Sequence, residues 1–200
     1  SHFAVGDLNG DGWPDLALLE PAANRVRIAW NGKTASIGFQ EGGASIDVGP
    51  GGAKIASGDL DGDGLDDLAV ASSPSGEAGR VQVHLMDASG GSTAGGSAEI
   101  PGLPTCIALG KIDGDGAADV AVGGDLSPEG EVYLIAGNGT GGLKAPRSAP
   151  LPSPPSEIDL GDLNGDGLRD LVLSLPDLSL LVSVLLISSN SAEERQAAAV

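Results

Sequence analysis

The chain has 200 residues, 28 of them acidic and 10 basic, for a net charge of −18. Such a surplus repels phosphate backbones and anionic headgroups, which disfavours nucleic acid and acidic membrane surfaces as partners. Cys106 is the only cysteine, so no intrachain disulfide can form and the fold must be held by burial and by whatever the carboxylates bind.

The first predicted strand is Phe3-Ala4-Val5, where large and small residues alternate and one face is close-packed. It runs into the loop Gly6-Asp7-Leu8-Asn9-Gly10-Asp11-Gly12-Trp13-Pro14-Asp15. Beyond it, Leu16-Ala17-Leu18 predicts a second strand, Arg25 to Trp30 a third and Ala44 to Val48 a weaker fourth. The order then repeats with Ile55-Ala56-Ser57, a loop from Gly58, Leu68-Ala69-Val70, Arg80 to Leu85 and Ser97 to Ile100. A third round has Ile107-Ala108-Leu109, a loop from Gly110, Val120-Ala121-Val122 and Glu131 to Ile135, with prolines obscuring its fourth strand. The last round has Ile158-Asp159-Leu160, a loop from Gly161, Leu171-Val172-Leu173 and Leu181 to Leu185. Its outer strand is expected to be missing, because only Ser191 to Val200 is left for it; Ser191 to Ala199 could instead make a terminal helical turn. The apolar run Leu171 to Ser188 has the length of a membrane span, but Pro176, Asp177 and several serines interrupt it, so no membrane insertion is expected.

The loops begin at Asp7, Asp59, Lys111 and Asp162, spaced 52, 52 and 51 residues apart. A fixed period near fifty means one supersecondary unit stacked repeatedly. Four short antiparallel strands per unit, joined by glycine-rich turns, describe a propeller blade. The expected fold class is therefore all-β, a β-propeller of four-stranded antiparallel blades. A single domain over residues 1–200 divides into blades near 1–52, 53–104, 105–156 and 157–200, the fourth incomplete. Ser1 leads straight into the first repeat, which reads as a mature form or an excised segment.

Each loop places oxygen-bearing side chains at positions 1, 3, 5 and 9 and glycine at position 6, the layout that folds oxygens around a hard cation such as calcium. The first loop offers Asp7, Asn9, Asp11 and Asp15 with the Trp13 carbonyl, and the second Asp59, Asp61, Asp63 and Asp67 with the Leu65 carbonyl. The fourth offers Asp162, Asn164, Asp166 and Asp170 with the Leu168 carbonyl. Three strong Ca2+ sites are expected. In the third loop Lys111 replaces the first ligand and leaves Asp113, Asp115, Asp119 and the Ala117 carbonyl; its ammonium is expected to stand in for the ion, giving a weak or empty site. Asp-Gly is also a favoured hairpin turn without metal, but three full copies crowd carboxylates that would repel one another without a cation. An EF-hand would need glutamate at position 12, where Leu18, Val70 and Leu173 stand.

The stretch Ile55 to Val70, followed by Gly79-Arg80-Val81-Gln82-Val83, closely resembles the FG-GAP repeat of integrin α-subunit propellers and the related VCBS repeats of secreted bacterial proteins. The resemblance implies a calcium-bearing propeller outside the cytoplasm, extracellular or at the cell surface, that works in adhesion or ligand recognition. Lys111, the shortened fourth unit and a blade count below the seven usual in integrin-like rings depart from that pattern.

Outside the loops, His2, Lys54, Cys106 and Glu157 share one register four residues before each loop glycine, the arrangement of a polar column around an axis, with an axial catalytic cluster as the rival reading. Asn138-Gly139-Thr140 is a glycosylation sequon. No nucleophile and base stand together beside the loops, so the expected function is a non-catalytic, calcium-stabilised module for adhesion, recognition or assembly. Its protein or glycan ligand would meet Glu20 to Asn24, Ser72 to Gly79 and Gly124 to Gly130, on the face opposite the loops. The alternative is a secreted carbohydrate-binding or polysaccharide-degrading propeller, although aromatic residues, the usual sugar platforms, are only 2% of the chain. Apolar residues left bare on the first and last blades are expected to drive self-association.

Overall fold

The computed structural model describes residues 2–33, 38–40, 45–74, 78–176, 183–186 and 195–197. Their ordered elements form four antiparallel sheets that follow one another along the chain. The first holds β1 (Phe3–Gly6), β2 (Asp15–Glu20) and β3 (Arg25–Asn31), with a short 3-10 turn at Pro21–Ala23. Two short strands, β4 (Phe39–Gln40) and β5 (Ser45–Asp47), share the outer edge of β3. The second comprises β6 (Gly52–Gly58), β7 (Asp67–Ser72), β8 (Gly79–Met86) and β9 (Ser92–Ile100). The third comprises β10 (Leu103–Gly110), β11 (Asp119–Leu126), β12 (Glu129–Ile135) and β13 (Arg147–Leu151). The fourth comprises β14 (Glu157–Gly161), β15 (Asp170–Ser174), β16 (Ser183–Leu186) and β17 (Arg195–Ala197).

Two expectations about outer strands change. The fourth sheet does have one: β17 pairs antiparallel with β16, Gln196 opposite Leu185, where a missing strand or a helical turn was expected. Ladder bonds are made by the backbone, so this short pairing needs none of the sequence pattern seen in the earlier units. In the third unit β13 carries Pro150 opposite Glu131. A proline is tolerated there because β13 is an edge strand, where a missing N–H costs least. The apolar run expected to stay out of the membrane contributes β15 and β16, and among the described residues no helix is long and apolar enough to cross a bilayer. Residues 181 and 182 of the expected third strand, residue 44, residues 75–77 of the expected contact segment Ser72 to Gly79, and residues 191–194 and 198–200 lie outside the described residues.

The sheets stack through their first strands: β1 packs beside β6, β6 beside β10, and β10 beside β14. Three apolar clusters fill the three junctions and are aliphatic apart from Tyr133 and the half-buried Trp30. The period of two decides which side each residue serves. In β7, Leu68 and Val70 join the cluster shared with the first sheet, while Ala69 and Ala71 join the cluster shared with the third. The second residue of each of the first three loops is also an inter-sheet plug: Leu8, Leu60 and Ile112 are buried in the cluster shared with the following sheet.

Hydrogen bonds reinforce two junctions. Asp66 N–H donates to the Asp7 carbonyl at 2.9 Å, and Asp7 N–H returns a 2.9 Å bond to Asp66 Oδ2. Between the second and third sheets, Gly96 N–H donates to the Gly141 carbonyl (2.8 Å) and Gly141 N–H to the Leu60 carbonyl (3.1 Å). Between the third and fourth, no backbone hydrogen bond joins the described residues; a long 3.9 Å contact from Cys106 Sγ to the Pro155 carbonyl is the nearest counterpart.

Candidate metal centres

Each loop joins the first strand of its sheet to the second. Glycine stands at loop positions 4 and 6 in all four copies, and each adopts positive φ, as at Gly62 (84°) and Gly64 (90°). L side chains rarely take that conformation, so two glycines two apart curl the loop tightly enough for its side chains to turn inward. The turn at position 6 matches the expectation from spacing; that at position 4 has its own signal in the repeated Gly10, Gly62, Gly114 and Gly165.

The carboxylates and amides at positions 1, 3 and 5 hold the loop's own backbone. Asp59 Oδ1 accepts from Gly62 N–H at 2.6 Å and Oδ2 from Gly64 N–H at 3.2 Å; Asp162 does the same for Gly165 (2.7 Å) and Gly167 (3.0 Å). Asp7 accepts from Asp11 N–H (3.0 Å) and Gly12 N–H (2.8 Å). Asp61 and Asp63 accept from Asp63 N–H and Leu65 N–H, and Asn164 and Asp166 from Asp166 N–H and Leu168 N–H. In the first loop Asn9 and Asp11 take the N–H groups of Asp11 and Trp13. These bonds pre-set the side-chain oxygens.

The aspartate at position 9 does more than sequence reasoning assigned to it. Asp15, Asp67, Asp119 and Asp170 are all buried, and each accepts from the N–H of the plug residue at position 2. In the first three units the other carboxylate oxygen reaches the end of the third strand: Asp15 to Asn31 N–H (2.9 Å), Asp67 to Met86 N–H (2.8 Å) and Asp119 to Gly137 N–H (3.0 Å). One carboxylate thus clamps loop, second strand and third strand together. A signal existed: the aspartate is kept in the Lys111 copy, where the ligand set is broken.

Carboxylates converge in two loops. Oxygens of Asp59, Asp61 and Asp67 lie within 4.8 Å of one another, and so do those of Asp113, Asp115 and Asp119. In the first and fourth loops Asn9 and Asn164 hold position 3 and bring an amide oxygen instead of a charge. Burial pushes the Asp67 carboxyl up to about 6, and the charges of Asp61 and Asp63 push the same way. Burial also raises Asp15 and Asp119. Crowded, partly desolvated oxygens with no nitrogen or sulfur ligand are the donor set a hard divalent cation takes, and each bonded carboxylate oxygen keeps a second lone pair for it.

The cation beside the third loop is not the expected one. Lys111 makes no ion pair among the described residues; it is exposed and lines a cavity of about 910 Å³ between the second, third and fourth loops. Lys144, three residues before β13 begins at Arg147, puts its ammonium 3.2 Å from Asp115 Oδ2 instead. The Ala117 N–H and that ammonium hold Asp115 below its ordinary value. The first loop has a similar guest, Lys33, 3.2 Å from Asp11 Oδ2. A lysine's long stem lets it reach carboxylates from another segment, which spacing along the loop cannot reveal.

His2, Lys54, Cys106 and Glu157 line one cavity of about 710 Å³. Burial raises the Cys106 thiol, which leaves it protonated and poorly nucleophilic at neutral pH.

Residues 7–70, 59–122 and 111–173 each match the FG-GAP-like repeat. No curated protein sequence is significantly similar to the chain. Among solved structures, the fold is similar to a chain in the crystal structure of BBS1N in complex with ARL6DN, soaked with lead, with a TM-score of 0.57 and 15% identity. That likeness covers 92% of this chain and 54% of the other, so the chain spans about half the length of its structural relative.

Proposed function

We propose that this chain, which belongs to the FG-GAP-like repeat family, is a calcium-stabilised propeller segment that serves as a non-catalytic recognition or assembly module outside the cytoplasm. The observation that carries the reading is the convergence of three carboxylates within 4.8 Å in the second and third loops. Calcium would be held in the second loop by Asp59, Asp61, Asp63 and Asp67 with the Leu65 carbonyl, and by the matching residues of the first and fourth. The ion supplies positive charge that lets these oxygens stay ionised and close together. The protein supplies the curl, the backbone bonds that aim each oxygen, and the position-9 clamp that ties the loop to the sheet. A structural role follows, because the plug residue beside that clamp is buried in the next sheet: fixing the loop fixes the junction.

Sheets stacked through their first strands, with small residues between them, support a radial propeller arrangement. The face opposite the loops would then carry the contacts, at Glu20 to Asn24, Ser72 to Gly79 and Gly124 to Gly130. Glu20 there is bound by both Arg25 (2.6 Å) and Arg27 (3.0 Å), and Leu126 is exposed.

Chelation tests the reading. If free calcium exceeds its dissociation constant tenfold, each site adds about 1.4 kcal/mol by linkage, so three add about 4 kcal/mol. Excess chelator should lower the melting temperature markedly, and elemental analysis of the untreated protein should find calcium. An unchanged melting curve with no bound metal would end the proposal.

A further inference from the structure

The eighth residue of each loop is where the four copies differ most. It stands between the carbonyl at position 7 and the buried aspartate at position 9, and is Pro14, Asp66, Ala118 or Arg169. Proline has no N–H to give, and alanine has no side-chain acceptor. Arg169 turns its guanidinium to the Leu160 carbonyl of its own sheet (3.3 Å). Among the described residues only Asp66 uses this place to grip a neighbouring loop: its N–H donates to the Asp7 carbonyl and its Oδ2 accepts from Asp7 N–H, both at 2.9 Å. Gly6 makes the approach possible, because a methyl group there would overlap the Asp66 side chain. At Gly58, the matching place one sheet on, such a methyl would meet only Leu109 carbons, the nearer at 3.5 Å.

Both partners of that link belong to a candidate metal centre. Asp7 is the first ligand of the first loop, and its carboxylate also accepts from Asp11 and Gly12 N–H. On the other side, the Leu65 carbonyl and the Asp66 N–H are the two ends of one peptide group, which is planar, so neither end turns without the other. A cation that takes the Leu65 carbonyl in the second loop therefore fixes and polarises the N–H that holds Asp7. Asp67, the next residue, is anchored in turn by Leu60 and Met86 N–H. A first loop whose Asp7 is already held loses less freedom on closing around its own cation, and a site ordered in advance binds more tightly.

We propose that the first and second loops, taken as the calcium sites proposed above, load their ions cooperatively through Asp66, each raising the other's affinity, while the fourth loop loads independently. Coupling between two sites is reciprocal, so either ion can come first. No hydrogen bond of this kind joins the fourth loop to the third among the described residues.

The two tryptophans make the first loop readable by itself: Trp13 stands within it and Trp30 lines a cavity with Asn9 and Asp11, while the other loops carry none. Terbium, a hard cation with the same taste for oxygen ligands, luminesces when a nearby indole is excited. The test titrates the full chain with terbium, followed by that emission, and with calcium by calorimetry. Disabling the second loop with Asp61→Ala/Asp63→Ala should weaken terbium binding at the first by about fivefold or more, the lower end of usual coupling between sites. Asp66→Pro copies the first loop's own Pro14 and removes both bonds. It should weaken the first loop too, and in its background the second-loop change should matter by less than about twofold, the scatter of independent sites. Asp66→Ala copies Ala118 and removes only the acceptor; its intermediate loss keeps the experiment readable should the proline variant fold poorly. Asp166→Ala, which disables the fourth loop, should leave the first unchanged. A first-loop affinity that ignores the second loop, one that rises when that loop is disabled, or a loss that survives Asp66→Pro undiminished would overturn the coupling and leave the calcium sites standing. Absence of both sensitised emission and calcium heat would overturn both.

Discussion

Truncating the plug residues should separate those that hold two sheets together from the one that does not. Leu60 is 1% exposed and lies in a cluster with Ile107, Val120 and Val122 of the next sheet. Leu60→Ala removes buried methyl groups and leaves a cavity bounded by two sheets, at a cost of about 2–5 kcal/mol. Against a total of about 5–15 kcal/mol for a typical domain, that is a large share. Leu8→Ala and Ile112→Ala should cost amounts in the same range, because both are equally buried at their own junctions. Leu163 occupies the same loop position but is mostly exposed, and surface substitutions stay within about 0.5 kcal/mol. Urea unfolding in saturating calcium, one variant at a time, gives all four values. A cost for Leu163→Ala above about 2 kcal/mol would mean the residue is covered in solution, and the reasoning from its exposure would fail.

Three further outcomes are expected. Gly6→Ala should loosen the first junction, since its methyl would displace the Asp66 carboxylate from Asp7 N–H, with a cost of about 1–3 kcal/mol, whereas Gly161→Ala should be neutral in the same unfolding assay. Burial lowers the His84 pKa against an opposing pull from Asp47, so below pH about 6.5 the unfolded chain takes up a proton that the folded one refuses. Stability tied to His84 is therefore intact above that pH and lost as pH falls below it; melting curves of His84→Leu should lose less between pH 7.5 and 5.5 than those of the parent, and equal losses would refute the assignment. Lys144→Met should tighten calcium binding at the third loop by up to about fivefold, the worth of an exposed ion pair, as read by calorimetric titration, and weaker binding would show that Lys144 does not compete with the ion.

Strand placement was legible because the repeat aligns four copies of each segment, so a weak pattern in one copy is supported by a strong one in another. Edges were less legible. Two short strands share the outer edge of β3, and β17 forms on Arg195–Ala197, where backbone pairing alone suffices. The loops announced their oxygens through spacing, yet the clamp of Asp67 onto Met86 spans 19 residues and depends on how the third strand returns. The same reason hid Lys144, which lies 29 residues from Asp115. What spacing does convey is the identity of groups within one turn of chain; which distant segment folds back onto them is decided by the sheet.

The uneven hydrogen bonding of the junctions gives the array a preferred line of fracture. Under tension, as a module between two anchored surfaces would feel, the first junction must break the reciprocal Asp7–Asp66 bonds and the second the bonds of Gly141. The third is held by side-chain packing without a backbone bond among the described residues. Apolar contacts slide apart gradually where hydrogen bonds resist together, so the third junction would yield at a lower load than the first two.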